Sequence, residues 1–467
     1  MDHLMNTVTA PALPLTVDVR FSAPETIRNN LGPFAPKSMA YRFYAKAGHP
    51  LNIELIEVPF EHVLVSLYSP SGQFTCAITF KSKLAHFHLP VLEETGEWEM
   101  VFSHFHPLSG YGRVSLHQAG IHADSFNMAF DFSSSPGAVK SSAPKWHKGD
   151  FHMHTYVSDG NESLEHLDEL CRQGGLDFYT ITDHNLVVRS LRDDQQPTYS
   201  TELTLDDNGH INFIGLTEPL DIHSITKGAS TVHESVELCI KAAKQQGALI
   251  SLNHPFNPHT GARYNFDLSL FDTMEVCRPY REDKISIDDV RSVKAFDVLW
   301  NNGYRIFAVG GSDFHAKARS EYIRPGKPIT HFWANSKSPS SVKQALKHGN
   351  SFITKECEVE YQLTEMHSGK PLMWGEDVKA NTTIQFNGAC PISLSWQLLL
   401  NGKVVDKVEN QEAGFTLTLC EGDVARIEAR NSEGNLKVFF NPVYSGQRKQ
   451  MPLDWLSLKH QIESTYR

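Results

Sequence analysis

Up to about residue 132 the chain runs as short apolar or alternating segments, for example Leu51 to Val58, His62 to Tyr68 and Trp98 to Ser103. Turn signals such as Ser69-Pro70-Ser71-Gly72 separate them. Short strands with frequent turns predict an all-β sandwich. Ser133 to Pro144 reads SSSPGAVKSSAP, rich in Ser, Pro and Gly, and is the expected linker.

Beyond it the period lengthens. Leu164, Leu167 and Cys171 fall at i, i+3 and i+7, stop at Gly174-Gly175 and lead into a strand over Asp177 to Thr182. Val236, Cys239, Ile240 and Ala243 repeat the pattern up to Gly247, ahead of a strand over Ala248 to Leu252. Val293, Phe296 and Trp300 do so again up to Gly303, ahead of a strand over Arg305 to Gly310. Alternating strands and helices predict an α/β unit of parallel strands, with functional groups at the strands' C-terminal ends. A helix is expected over Ser340 to Gly349. The remainder is again β-like, with Asn401-Gly402 as a hairpin turn. The expected organisation is a β-sandwich-like domain over 1–145, an α/β domain over 146–355 and a β-rich domain over 356–467.

Composition narrows the function. The 467 residues suit about three domains. With 43 Lys and Arg against 54 Asp and Glu, the net charge of −11 disfavours general nucleic-acid binding. The seven Cys lie singly, with no CxxC pair, so neither a disulfide framework nor a thiolate zinc site is suggested. The start of the chain carries Asp2 and no apolar run of signal-peptide length, and 18 consecutive apolar residues occur nowhere. A cytoplasmic protein without a membrane span is expected. The unusual number is 24 His.

Those histidines recur at the ends of the central strands. Asp150-Phe151-His152-Met153-His154 is followed by Ser158-Asp159-Gly160, then Thr182-Asp183-His184, Asn253-His254-Pro255 and Gly311-Ser312-Asp313-Phe314-His315. Alternate strand residues share a face, so His152 and His154 can reach one metal, and Asp313 and His315 one cluster. Imidazole and carboxylate sets without thiolate suit Zn²⁺, Mn²⁺ or Fe ions. More than four such groups on one rim suggest two or three divalent metals, since a single catalytic zinc takes three protein ligands.

DFHMHT with SDG, then TDH, NHP and GSDFH, resembles the PHP (polymerase and histidinol phosphatase) metallohydrolase superfamily. FDVLWNNGYRIFAVGGSDFH, SVKQALKHGNSFIT and KVFFNPVYSG look more narrowly like its carbaryl-hydrolase-type subfamily. The likeness covers about residues 146 to 355, with weaker echoes in the C-terminal part. It implies a distorted seven-stranded α/β barrel and a binuclear or trinuclear centre. His152, His154 and Asp313 would then hold one ion, and Asp159, His184 and His315 a second. A third would use His254, a further His and a Glu bridging to the first. TELTLDDNGHINFIG resembles the segment supplying these last two, giving Glu202 and His210; Glu218 and His223 in GLTEPLDIH form a competing pair.

Other residues have plainer readings. The pairs His86/His88 and His104/His106 lie in the β region without a following carboxylate motif and read as ordinary strand residues. Asp183 can support His184 or merely end a strand, and Glu275 can form a structural ion pair or touch the site. Arg263, Arg278 and Lys317 follow strand ends and are candidate contacts for an anionic substrate group.

No GxSxG elbow or P-loop supplies a nucleophile or phosphate cradle. Metal-bound water is therefore the expected nucleophile and hydrolysis the expected reaction, on a small anionic or ester-like substrate. A phosphoesterase is the first expectation and a carbamate, ester or amide hydrolase the second. A noncatalytic metal-binding scaffold with ligand-binding β domains is the alternative of another class.

Overall fold

The computed structural model describes residues 10–22, 35–57, 63–105, 109–128, 143–190, 198–205, 209–279, 285–316 and 323–466. Most of the expected linker, together with Lys317 and His106, lies outside them. No helix among them is long and apolar enough to cross a membrane.

The first part is two facing sheets. Strands Lys37–Ala45, Gly96–His104, Val63–Tyr68 and Phe74–Thr79 form one, in the order first, second, third, fourth as named. Leu15–Phe21, Gly110–His117, Leu51–Glu57, His86–Leu89 and Phe126–Asn127 form the other. Inward residues alternate as the sequence pattern requires: Ile53, Leu55, Phe87, Val114 and Leu116 from one sheet meet Phe43, Val65, Met100 and Phe102 from the other. The same apolar cluster takes in Met153, Leu167, Cys171, Tyr179 and Phe314. The sandwich and the α/β unit therefore share one core.

The four expected helices are present as Leu164–Gln173, Val232–Gln245, Ile287–Asn301 and Pro339–Lys347. Each begins at a Ser or Thr whose side chain accepts a backbone N–H of the first turn: Ser163, Thr231, Ser286 and Ser338. The sheets around them are mixed rather than wholly parallel. Leu249–Leu252, Thr273–Cys277 and Phe307–Gly310 run parallel. Tyr199–Leu203, Ile211–Leu216 and Leu249–Leu252 pair antiparallel, and all belong to one six-stranded sheet. The cause of the first reversal is local, because fewer than ten residues join Leu203 to Ile211 and a parallel crossover needs a dozen or more.

A second sheet, of ten strands, crosses the expected boundary at 355/356. Lys145–Asp150, Ile329–Ala334 and Ser351–Thr354 continue through Leu436–Phe440 into the strands of the C-terminal part. There the long pair Thr382–Leu400 and Lys403–Leu419 turns at Asn401 (φ 52°) and Gly402 (φ 74°), the left-handed pair that a tight hairpin requires. The C-terminal part is not wholly β. Helix Trp455–Thr465, capped by Asp454, packs back so that Trp455 Nε1 donates to the Ala262 carbonyl and Lys459 Nζ to that of Pro255. It braces the loop that follows His254.

Candidate metal centre

The mixed sheet explains how residues so far apart in sequence share one rim. An antiparallel neighbour begins where the next strand ends: Leu203 pairs with Ile211, and Ile211 with Leu252. Glu202 near the end of one strand, His210 at the start of the next and His254 just beyond a third therefore meet. Asp313 and His315 follow Phe307–Gly310 at the same end. His152 and His154 follow Lys145–Asp150, and Met153 bridges to Phe314 while His184 bridges to Glu202. Two of these turns hold non-glycine residues in left-handed backbone, His254 at φ 26° and Asp313 at φ 48°.

All nine residues of the preferred set come together. Their donor atoms form four overlapping groups able to hold a metal ion: His152, His154 and Asp313; His154, Asp159, His184 and His315; His152, Glu202 and His254; and His184, Glu202 and His210. Glu202 is the hub. Its Oε1 lies 3.1 Å from His152 Nε2, 3.3 Å from His210 Nδ1 and 3.4 Å from His254 Nε2, and its Oε2 lies 3.2 Å from His184 Nδ1. Asp159 Oδ1 lies 3.3 and 3.2 Å from the Nε2 atoms of His184 and His315. The competing pair is elsewhere: Glu218 is exposed, and His223 Nδ1 lies 2.9 Å from Ser103 Oγ against the sandwich.

The hydrogen bonds around the cluster decide where its lone pairs point. His152 Nδ1 lies 2.8 Å from Glu275 Oε1, and His315 Nδ1 lies 2.8 Å from the Asp313 carbonyl. An ionised carboxylate and a carbonyl only accept, so each Nδ1 carries the proton and each Nε2 turns its lone pair inward. His152 Nε2 then faces Glu202, Asp313 Oδ1 at 3.3 Å and His154 Nε2 at 3.1 Å. Lone pairs aimed at carboxylates repel unless positive charge, a proton or a metal ion, lies among them. His154 Nδ1, Asp159 Oδ1, Glu202 Oε2 and His210 Nε2 are also buried without a hydrogen-bond partner. This donor set fits divalent ions of the zinc, manganese or iron kind.

The titration tendencies follow from the same crowding. Burial opposes charge on His152, yet Glu275, Glu202 and Asp313 hold its pKa well above the usual imidazole value. Burial likewise opposes charge on Asp313, but His152 and His315 hold it well below the carboxylate range. His210 is pushed down to about 4 by burial, against the pull of Glu202, and His184 is lowered by burial and by Lys81.

Several supports were not assigned from the sequence. Glu275 accepts from His152 through one oxygen and from the His254 N–H, at 2.9 Å, through the other. Asp150 is fully buried and accepts the N–H groups of His152, Ser312 and Gly326, tying the HxH segment to the GSDFH turn. Burial raises its pKa to about 6 despite these bonds. Asp183 does not reach the His184 ring; its oxygens accept from Thr155 N–H, Thr155 Oγ1 and Ser158 Oγ and so fix the loop carrying His154 and Asp159. Gly311 has a steric reason, since a Cβ there would come within 2.6 Å of His152 Cβ.

Cations flank the cluster. Arg278 Nη2 lies 3.0 Å from Asp313 Oδ2, whereas Arg263 donates to the Pro258 carbonyl within its own loop. Lys81, which the sequence did not single out, comes from the sandwich and sets Nζ 3.4 Å from His184 Nε2. Its loop is pinned to the α/β unit, with Lys83 N–H donating to Tyr156 and Ser158 carbonyls and Leu84 N–H to Tyr156.

No family model matches the chain, and no curated protein does. Among solved structures, a two-domain protein of Bacteroides vulgatus containing a predicted PHP-like metal-dependent phosphoesterase is 14% identical, with 64% of this chain and 96% of that chain covered and a TM-score of 0.36. An amidohydrolase from Chromobacterium violaceum with bound sulfate and no metal is 13% identical over 38% and 93% of the two chains, with a TM-score of 0.24. The pre-peptidase C-terminal domain of a Bacillus anthracis collagenase is 11% identical over 23% and 91%, with a TM-score of 0.18. At these values the likenesses carry no functional argument, which rests on the site itself.

Proposed function

We propose that this chain is a PHP-type metal-dependent hydrolase acting on a phosphoester. The observation that carries the reading is the convergence of six imidazoles and three carboxylates at one rim, with inward lone pairs and unpartnered buried donor atoms. His152, His154 and Asp313 would hold one ion, Asp159, His184 and His315 a second, and Glu202, His210 and His254 a third. Divalent ions held there supply a nucleophile at neutral pH, by lowering the pKa of water, and charge stabilisation for the reacting group.

The chain's own residues do the rest. Glu275 fixes the proton of His152 on Nδ1, Thr204 Oγ1 lies 2.7 Å from His184 Nδ1, and Asn253 Nδ2 donates to Glu202 Oε1. Lys81 and Arg278 offer donors to the substrate's anionic oxygens from two sides. That pair of cations favours a phosphoester over a neutral carbamate. The carbamate or ester reading rests on the carbaryl-hydrolase-like phrases alone, without support from the comparisons. A noncatalytic scaffold has no need to retain every one of nine convergent ligand groups together with the residues that orient them.

Full-length protein reloaded with Mn²⁺ or Zn²⁺ tests this against parallel panels of phosphomonoesters, phosphodiesters, and aryl carbamates and esters. Phosphoester turnover that chelation abolishes is expected. Turnover of carbamates alone would overturn the substrate class, and no turnover on any panel by metal-loaded protein would favour the scaffold.

A further inference from the structure

Four histidines outside the rim collect on one side of the N-terminal sandwich. In the sheet containing Leu51–Glu57, direct cross-strand partners share a face, and Glu54 pairs with His86, while Asn52 pairs with both His88 and His117. The opposite face carries Ile53, Phe87 and Leu116 into the core. The histidine-bearing face is covered in part by the segment after Gly110–His117. Asn52 Nδ2 donates to the carbonyls of Ala119 and Gly120, and this brings His122 over the sheet.

We propose that Glu54, His86 and His122 form a second metal site, separate from the rim cluster, that binds a Zn²⁺-class ion and clips this segment to the sheet. Their donor atoms all lie within 4.8 Å of one another. Tetrahedral ligands about 2.1 Å from zinc stand about 3.4 Å apart, so a small inward movement of the exposed His122 completes the geometry. The rings of His86 and His122 stack at 4.0 Å and 17°. A second observation points to a ligand: His86 Nδ1 is buried and has no hydrogen-bond partner. His88 is not one of the group, whose converging donor atoms are those of Glu54, His86 and His122; its Nδ1 lies 2.9 Å from Asn52 Oδ1. The HxH pair is thus divided between two tasks, and the ligand set crosses strands instead of running along one. Two imidazoles and one carboxylate leave a fourth position for water, which suits zinc and its borderline neighbours better than calcium.

The test is zinc stoichiometry on the chelated full-length protein, read by titration and elemental analysis in wild type, His86→Ala, His122→Ala and Glu54→Gln. One equivalent fewer is expected in each His variant, and at least tenfold weaker binding of that equivalent in Glu54→Gln. Zinc should also raise the melting temperature of wild type more than that of His86→Ala. The rim cluster's hydrolysis and the circular dichroism should be unchanged in all three. Equal zinc equivalents in wild type and both His variants overturn the proposal. So does an equivalent that is lost with His122 but survives the loss of His86 and Glu54.

Discussion

Glu275 grips His152 from behind: its Oε1 lies 2.8 Å from His152 Nδ1, and both side chains are buried. The carboxylate is thereby placed to fix the imidazole tautomer and to turn Nε2 toward Glu202 and Asp313. A Gln in its place keeps the size but loses the charge and one acceptor. Glu275→Gln is predicted to weaken metal binding about 10- to 100-fold while leaving most turnover at saturating metal. Metal titrations followed by activity measure this, and unchanged affinity contradicts the role.

Lys81 brings a cation from the sandwich to the rim cluster. Its ammonium lies 3.4 Å from His184 Nε2, and under the proposed phosphoesterase reading it would donate to an anionic oxygen of the substrate. Lys81→Met should reduce kcat/KM for phosphomonoesters about 10- to 100-fold, mostly through KM, with metal content unchanged. Equal losses on charged and neutral esters would mean that Lys81 does not contact the substrate's charge.

A different set of charges joins the helix Ile287–Asn301 to the C-terminal strands. Arg426 pairs with Asp297 on that helix at 2.6 Å and with Glu428 at 2.5 Å, all buried. Burial raises the Glu428 pKa, but Arg426 and Arg430 outweigh it and bring it to about 2, from an ordinary 4.5. A carboxylate with a lowered folded pKa contributes stability above its unfolded value and loses it as pH falls through the folded one. The network is therefore predicted to lose a few kcal/mol between about pH 4.5 and pH 2. Glu428→Gln should be less stable than wild type by about 3 kcal/mol at pH 7, with the gap closing in that acid window. Denaturant unfolding at several pH values shows whether it closes; a gap independent of pH contradicts the assignment.

Seven of the rim residues, His152, His154, Asp159, His184, His254, Asp313 and His315, are legible because each lies in a short motif at a strand end of the βα rhythm; Glu202 and His210 follow only from the family resemblance of TELTLDDNGHINFIG. The interval from Glu202 to His210 was harder, since it rests on an antiparallel hairpin that a βα rhythm does not predict. Glu275 and Lys81 were not assigned for a different reason. Glu275 sits in an apolar strand, and Lys81 reaches the rim only through contacts between segments about 100 residues apart in sequence, which no local pattern encodes. The last helix did leave a signal: Asp454 precedes Trp455, Leu458 and Ile462 at i, i+3 and i+7. A β-like pattern over the residues beyond 355 does not include it.

The most direct test of the account pairs metal content with turnover in wild type and Asp313→Ala. Wild type is predicted to carry at least two equivalents of Mn²⁺, Zn²⁺ or Fe at the rim cluster and to hydrolyse phosphoesters in proportion to its loading. Asp313→Ala should lose at least one equivalent and nearly all turnover with its circular dichroism unchanged. Full turnover by Asp313→Ala, or by wild type holding less than one equivalent, would contradict it.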